Sequence, residues 1–225
     1  MPGYQTKQET VPIVGVASLQ IRSLLDQRQF ADPDGVAARA GISSAVWPLF
    51  GLLWPSGAHL AARIAQRPVT AGERILEVGC GLGLASLVGH RRGADMTASD
   101  CHPLAAAFLA HNLALNDLPA LKYRSGEWAL QDPEPVDAVR GRFELIMGSD
   151  VLYDRSAAEA LAAFIGRHAT PRSEVWIVDP NRGNRPAFTR RMTALGYRLD
   201  DQALFLAAAA DRGEYRGHML VYARD

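Results

Sequence analysis

Lysine is almost missing from this chain: Lys7 and Lys122 are the only two among 24 basic residues. Positive charge is therefore carried by arginine. The residue that a nucleotide P-loop places directly after its glycines is also unavailable where it would be needed. Cysteine is as sparse. Cys80 and Cys101 are the only two, too few for a disulfide framework, so a reducing cytoplasm is the expected compartment. Formal net charge is zero, so no global field draws the protein toward nucleic acid or an anionic membrane, and neither partner is expected. No run approaches the roughly 18 apolar residues of a membrane span. The opening residues "MPGYQTKQETVPIVGVASLQ" carry no cationic segment ahead of an apolar one, so no signal peptide is expected. No metal site is expected either.

What is present reads as an ordinary soluble domain. Of 225 residues, 48% are hydrophobic and 21% charged, enough for one α/β domain with a short extension. Residues 11–25 are rich in β-branched side chains and predict a strand or hairpin. "DPDGVAARAGISS" reads as a loop. Ser56 is the expected cap of a helix, "GAHLAARIAQ". From Arg74 onward apolar strands alternate with helical periods. "RILEVG", "ADMTASD", "ALKYRSG", "FELIMGSD" and "EVWIVD" are strands, and "LASLVGHRRG", "HPLAAAFLAHNLALND", "SAAEALAAFIGRHA" and "RPAFTRRMTALG" are helices. "YRLDDQALFLA" and "YRGHMLVYAR" can pair as antiparallel strands. Such alternation predicts a mostly parallel sheet with helices on both faces.

The stretch "ILEVGCGLGLAS" carries the most chemistry. Gly79, Gly81 and Gly83 fall where a strand turns into a helix, and glycine lets backbone N–H groups approach a ligand. A dinucleotide fingerprint requires G-x-G-x-x-G/A. Read from Gly79, the third position is Leu84; read from Gly81, it is Ser86. Both registers fail, and no lysine follows for a P-loop. Glu77 precedes the glycines, poorly suited to phosphate but suited to a cationic or amine-bearing ligand. Asp100 ends the next strand about 20 residues on, where a carboxylate accepts ribose hydroxyls in nucleoside-binding α/β folds. A nucleoside joined to a cationic group describes S-adenosylmethionine.

"ILEVGCGLG" followed by "ASD" resembles the seven-stranded class I S-adenosylmethionine-dependent methyltransferases. With "LLWPSGAHLA" before it and "GSDVLYD" after it, the chain resembles the branch holding nicotinamide N-methyltransferase-like enzymes and protein-lysine methyltransferases. The likeness covers about residues 46–180. It implies a Rossmann-like seven-stranded sheet, mostly parallel, with an antiparallel C-terminal hairpin. It also implies a division into an N-terminal strand and loop extension, 1–45, and a methyltransferase domain, 46–225.

The same resemblance implies site residues. Gly79, Gly81 and Gly83 pass under the methionine part of the cofactor, and Glu77 supports that loop or the ammonium group. Asp100 takes the ribose, while Cys101 and His102 border the adenine; His102 reads better as a cap before Pro103. Trp128 is either an adenine contact or a packing tryptophan, and Trp54 either covers the cofactor or packs a helix. Trp47 reads as core. Asp150 and Tyr153 are the catalytic pair, Asp150 orienting an amine and Tyr153 walling the channel. Asp154 caps the next helix. Asp179, Asn181 and Arg182 lie at another strand end and read equally as substrate contacts or as a turn. The expected activity is methylation of a protein lysine, with S-adenosylhomocysteine as product. The alternatives are a small-molecule N-methyltransferase of the nicotinamide type and an inactive cofactor-binding protein.

Overall fold

The computed structural model describes residues 3–129, 135–208 and 213–225. The segment 208–214, between the last two predicted strands, therefore lies partly outside the described residues. The chain opens with a hairpin, β1 (Thr6–Ile13) and β2 (Val16–Leu24), followed by a short helix, α1 (Val36–Arg39), and a 3-10 helix, Trp47–Gly51. Then come α2 (Pro55–Gln66), β3 (Arg74–Val78), α3 (Leu84–Arg91), β4 (Asp95–Asp100), α4 (Ala105–Leu115), β5 (Lys122–Ser125) and β6 (Phe143–Ser149). The chain closes with α5 (Arg155–His168), β7 (Ala169–Asp179), α6 (Arg185–Ala194), β8 (Arg198–Leu206) and β9 (Tyr215–Arg224).

The strands from β3 onward form one seven-stranded sheet in the order β5-β4-β3-β6-β7-β9-β8. β3 pairs in parallel with β4 and β6, β4 with β5, and β6 with β7. β9 runs antiparallel to both β7 and β8. This is the mostly parallel sheet with an antiparallel C-terminal pair that the alternation predicts. Side chains along each strand leave for opposite faces. Ile75, Leu145, Met147, Trp176 and Val178 enter the core beneath α2, α3 and α4. Leu76, Ile146, Val175 and Ile177 enter the core beneath α5 and α6. Chain direction away from the first strand reverses between β3 and β6, and ligands in open α/β sheets bind at that crevice, beyond the strands' carboxyl ends.

The N-terminal hairpin shares the first core through Leu19, Ile21 and Leu24. It is pinned to α4 by two amides. Asn112 Oδ1 accepts the Arg22 N–H at 2.8 Å, and Asn116 Oδ1 accepts the Gln20 N–H at 2.9 Å. Their Nδ2 atoms donate back to the Arg22 and Gln20 carbonyls. β2 thus finds on a helix the donors and acceptors that a neighbouring strand would supply.

Two local expectations are corrected. The segment 32–44, read as a loop, contains α1, whose first N–H groups are met by Asp32: its carboxylate accepts from Ala37 and Ala38. Ser56 is not a cap. Pro55 occupies the first turn of α2, where its missing N–H and fixed φ are tolerated. That places Ser56 inside the helix, buried, with its hydroxyl 2.9 Å from the Tyr215 hydroxyl. Asp154, by contrast, is the N-cap of α5, accepting the Ala157 N–H at 2.7 Å.

Candidate active site

The glycine turn leaves β3 in a left-handed conformation three times: φ is +58° at Gly79, +51° at Gly81 and +74° at Gly83. The need for glycine is also steric and internal. A Cβ on Gly81 would stand 2.7 Å from the Phe50 carbonyl oxygen, and one on Gly83 would stand 2.5 Å from Leu109 Cδ1. The 3-10 helix therefore lies directly against the loop. Phe50 also stacks on His102 with ring centroids 3.7 Å apart. Sequence reasoning gave Phe50 no role, and nothing in its local pattern distinguishes it from other core aromatics.

Asp100 ends β4 beside this loop. Its Oδ2 accepts the Gly81 N–H and its Oδ1 the His102 N–H, both at 2.8 Å. Burial raises its pKa, and those backbone donors pull it back down. Each oxygen keeps lone-pair capacity for a further donor. Gly126 packs against the Asp100 backbone: a Cβ there would meet the Asp100 nitrogen at 2.8 Å. His102 is buried, and its Nδ1 accepts the Leu104 N–H at 3.2 Å, a turn-closing bond ahead of α4. Cys101 is exposed next to it.

Glu77 lies near the end of β3, bonded to the start of α3. It is 3% exposed, and its Oε2 accepts both the N–H and the hydroxyl of Ser86 in the first turn of α3. A strand carboxylate thus serves as the helix's capping group, in a position favoured by the helix dipole. Burial drives its pKa from 4.5 up to about 7, against the lowering effect of the Ser86 bonds. A raised folded-state pKa means the group's contribution to stability is complete below its unfolded value and is lost as pH climbs through 7. In the cofactor-free protein, Glu77→Gln keeps an acceptor for Ser86 without the charge. It should exceed the parent's stability at pH 8.5 by up to about 3 kcal/mol, with the gap closing by pH 5. Urea unfolding at both pH values measures this; a less stable glutamine variant at pH 8.5 would show that the buried charge is well solvated by its neighbours.

Trp128 lies 9% exposed at the crevice between β3 and β6, its Cζ2 3.8 Å from where a Gly79 Cβ would be. Its Nε1 has no partner among the described residues. Tyr153 stacks on it at 6.4 Å and is itself 56% exposed. Partial desolvation, with the nearby acids, pushes the Tyr153 hydroxyl up to about 12, so it remains a hydrogen-bond donor. Trp54 precedes α2 and donates its Nε1–H to the Leu49 carbonyl at 2.9 Å. The same helix start approaches β6, with a Gly57 Cβ position 3.7 Å from Ser149 Oγ. Trp47 is buried, 1% exposed.

Asp150 follows β6 with φ +57°, uncommon for a residue bearing a Cβ and held here by its N–H bond to the Val178 carbonyl at 2.8 Å. Both carboxylate oxygens are taken by Arg182, Nε to Oδ1 and Nη2 to Oδ2, the latter at 2.8 Å. Asp179 ends β7 next door, 1% exposed. Its Oδ2 accepts the Asn181 N–H, and its Oδ1 has no partner among the described residues. The turn reading of 179–183 thus holds for Asn181, at φ +68°, while Arg182 reaches out of the turn to the next strand end.

The site therefore has two ends. Gly79, Gly81, Asp100 and Trp128 surround the crevice between β3, β4 and β6, and Asp150, Tyr153 and Arg182 stand at its solvent mouth. Glu77 is buried near the end of β3, bonded to Ser86.

Known proteins resemble this chain in sequence and in fold. The chain is 29% identical over 138 residues to an electron transfer flavoprotein beta subunit lysine methyltransferase of Danio rerio, covering 60% of this chain and 51% of that protein. It is 27% identical over 160 residues to the protein of that name from Xenopus laevis, covering 68% and 62%. It is 25% identical over 186 residues to a calmodulin-lysine N-methyltransferase of Arabidopsis thaliana, covering 78% and 59%. The chain thus spans about half to three-fifths of the length of these relatives. Among solved structures, a 16S rRNA methyltransferase of T. Thermophilus superposes with a TM-score of 0.60 at 16% identity, covering 98% of this chain and 50% of that one. A ribosomal protein L11 methylase of Lactobacillus delbrueckii gives 0.57 at 18%, covering 77% and 81%. At such identities these two establish the fold. A family model described as lysine methyltransferase matches residues 40–193, most of the chain and every side chain just described, and the chain belongs to that family.

Proposed function

We propose that this chain is an S-adenosylmethionine-dependent N-methyltransferase acting on lysine side chains of a protein. The observation that carries the reading is Asp150: a carboxylate at the carboxyl end of β6, held by a strained backbone, that already grips a cationic side chain at the crevice mouth. When bound, S-adenosylmethionine supplies an electrophilic methyl group. The residues fit it: a strand-end carboxylate at Asp100 with lone pairs to spare, and an indole N–H on Trp128 without a partner among the described residues.

Transfer to nitrogen needs a neutral lone pair in line with the methyl carbon, and little else from the protein. A lysine ammonium, with a pKa of about 10.4, would pair with Asp150 on arrival and must release a proton to solvent through the mouth before transfer. Asp150 then accepts a hydrogen bond from the amine and fixes its direction, while Tyr153 bounds the channel. Asp100 holds the ribose, with Cys101 and Trp54 at the cofactor's borders, and Glu77 keeps the glycine loop and α3 in register. A protein substrate is favoured by the open mouth, where Tyr153 is 56% exposed. The described part of residues 1–45 adds a hairpin and a four-residue helix rather than a helical lid. We assign those residues as an extension of the methyltransferase domain. We also place the protein in the cytoplasm, a reading supported by two unpaired thiols; no described helix is long and apolar enough to cross a membrane.

Lysate incubated with methyl-labelled S-adenosylmethionine should yield a discrete labelled protein band whose label resides on lysine. Label confined to small molecules would replace this reading with the small-molecule one.

A further inference from the structure

While Arg182 holds both of its oxygens, Asp150 has its charge matched by the guanidinium and only its remaining lone pairs to offer an acceptor amine. The pair is a side-on fork, Nε and Nη2 to the two oxygens, the geometry in which guanidinium binds carboxylate best. The turn after β7 is shaped to deliver it. Asn181 adopts a left-handed backbone and donates to Asp179, which brings the next side chain back across the end of β6. Asp150 is 13% exposed in its side chain whereas Arg182 is 42% exposed. The guanidinium can therefore swing outward into solvent, and the carboxylate it leaves stays in the crevice.

An incoming ammonium competes with the guanidinium for that carboxylate, and a displaced guanidinium is held by water or, more firmly, by an anion. Nearby acids are poorly placed to receive it. Asp179 has a free oxygen, but it is 1% exposed, so the guanidinium would have to give up its water to reach it. Asp201 is engaged by Arg185 and His218, Glu214 by Arg216, and Asp154 by the first turn of α5. Glu127 lies on the Tyr153 side of the mouth, and the substrate brings any acid that stands beside its target lysine.

We propose that Arg182 is a specificity-determining residue: it occupies the acceptor amine's place on Asp150 in the free enzyme and, on displacement, pairs with an aspartate or glutamate that the substrate carries beside its target lysine. The exchange leaves no charge unpaired. A lysine flanked by acids trades one ion pair for two, and a lysine in a neutral or basic segment trades one for one and leaves Arg182 to water alone. Arg182 thus filters against the second kind.

The inference rests on the lysine reading, and one experiment separates the two. The parent protein and Arg182→Gln are each incubated with lysate and methyl-labelled S-adenosylmethionine. The lysates are then digested and the labelled lysines mapped by mass spectrometry. Parent sites should cluster beside aspartate or glutamate, and Arg182→Gln should lose that bias, labelling neutral-flanked lysines roughly fivefold more than the parent does, the scale of a half-exposed ion pair. Parent sites without acidic neighbours, or a variant that labels less with its bias unchanged, would make Arg182 a structural clamp and overturn the proposal while leaving lysine methylation standing. No labelled lysine with either protein would remove both readings. Calorimetric affinity for S-adenosylhomocysteine, expected to match the parent's, checks that the variant is folded.

Discussion

Asp150→Asn should slow methyl transfer at least about a hundredfold while leaving affinity for S-adenosylhomocysteine within about twofold. Asparagine is the informative replacement. Residue 150 sits at φ +57°, which asparagine adopts readily and alanine does not, so alanine would add backbone strain to the chemical loss. The amide keeps the size of the side chain and one acceptor oxygen, but it lacks the negative charge that draws and aims the amine. It also lacks the second acceptor of the Arg182 fork. Single-turnover transfer to the labelled lysate protein, alongside calorimetry with the product cofactor, separates chemistry from cofactor binding. A variant retaining more than a third of the parent rate would reduce Asp150 to a structural residue.

Asp100 supports the second large expectation. Replacement by alanine should weaken cofactor binding about a hundredfold or more, because hydrogen bonds to a charged acceptor contribute about 1.5–3 kcal/mol each. Part of that loss would be indirect, since the same carboxylate also holds the Gly81 and His102 N–H groups. A ligand lacking one ribose hydroxyl isolates the direct part. The parent should prefer S-adenosylhomocysteine strongly over its 2′-deoxy form, and Asp100→Ala should bind both with nearly equal affinity. An alanine variant that still discriminates between them would assign the ribose to another residue.

Much of this architecture is readable from the chain because it rests on local periodicity. The short apolar runs at Ile75–Val78 and Leu145–Met147 are flanked by turn residues, and both become central strands. The glycines at 79, 81 and 83 declare a tight strand–helix turn, and Asp154 before an apolar helical period declares a cap. Ser56 misled because a serine before a helical period looks like a cap, whereas Pro55 fixes the helix start one position earlier. The content of the site was less legible. Glu77 reads as a support for the glycine loop or as a ligand for the ammonium group, and its bonds to Ser86 depend on which side of β3 it leaves. The Asp150–Arg182 pair joins two loops 32 residues apart. It exists only because β6 and β7 are neighbours in the sheet, a long-range fact that no local pattern encodes. Phe50 over Gly81 is hidden for the same reason.

The two asparagines that hold β2 to α4 show how a helix and a strand can be made commensurate. Four residues of helix rise about 6.0 Å, and two residues of strand advance about 6.7 Å. Amides at 112 and 116 can therefore meet the backbone at residues 22 and 20 with less than 1 Å of mismatch between the two rulers. Over eight helical residues and four strand residues the discrepancy doubles, and a third amide would miss its partner. One step earlier along α4, at position 108, the chain places phenylalanine, whose ring lies beneath the Arg22 guanidinium, 5.3 Å from its Cζ. Contact there depends on shape rather than on register, so the ladder stops at two rungs where its spacing would begin to fail.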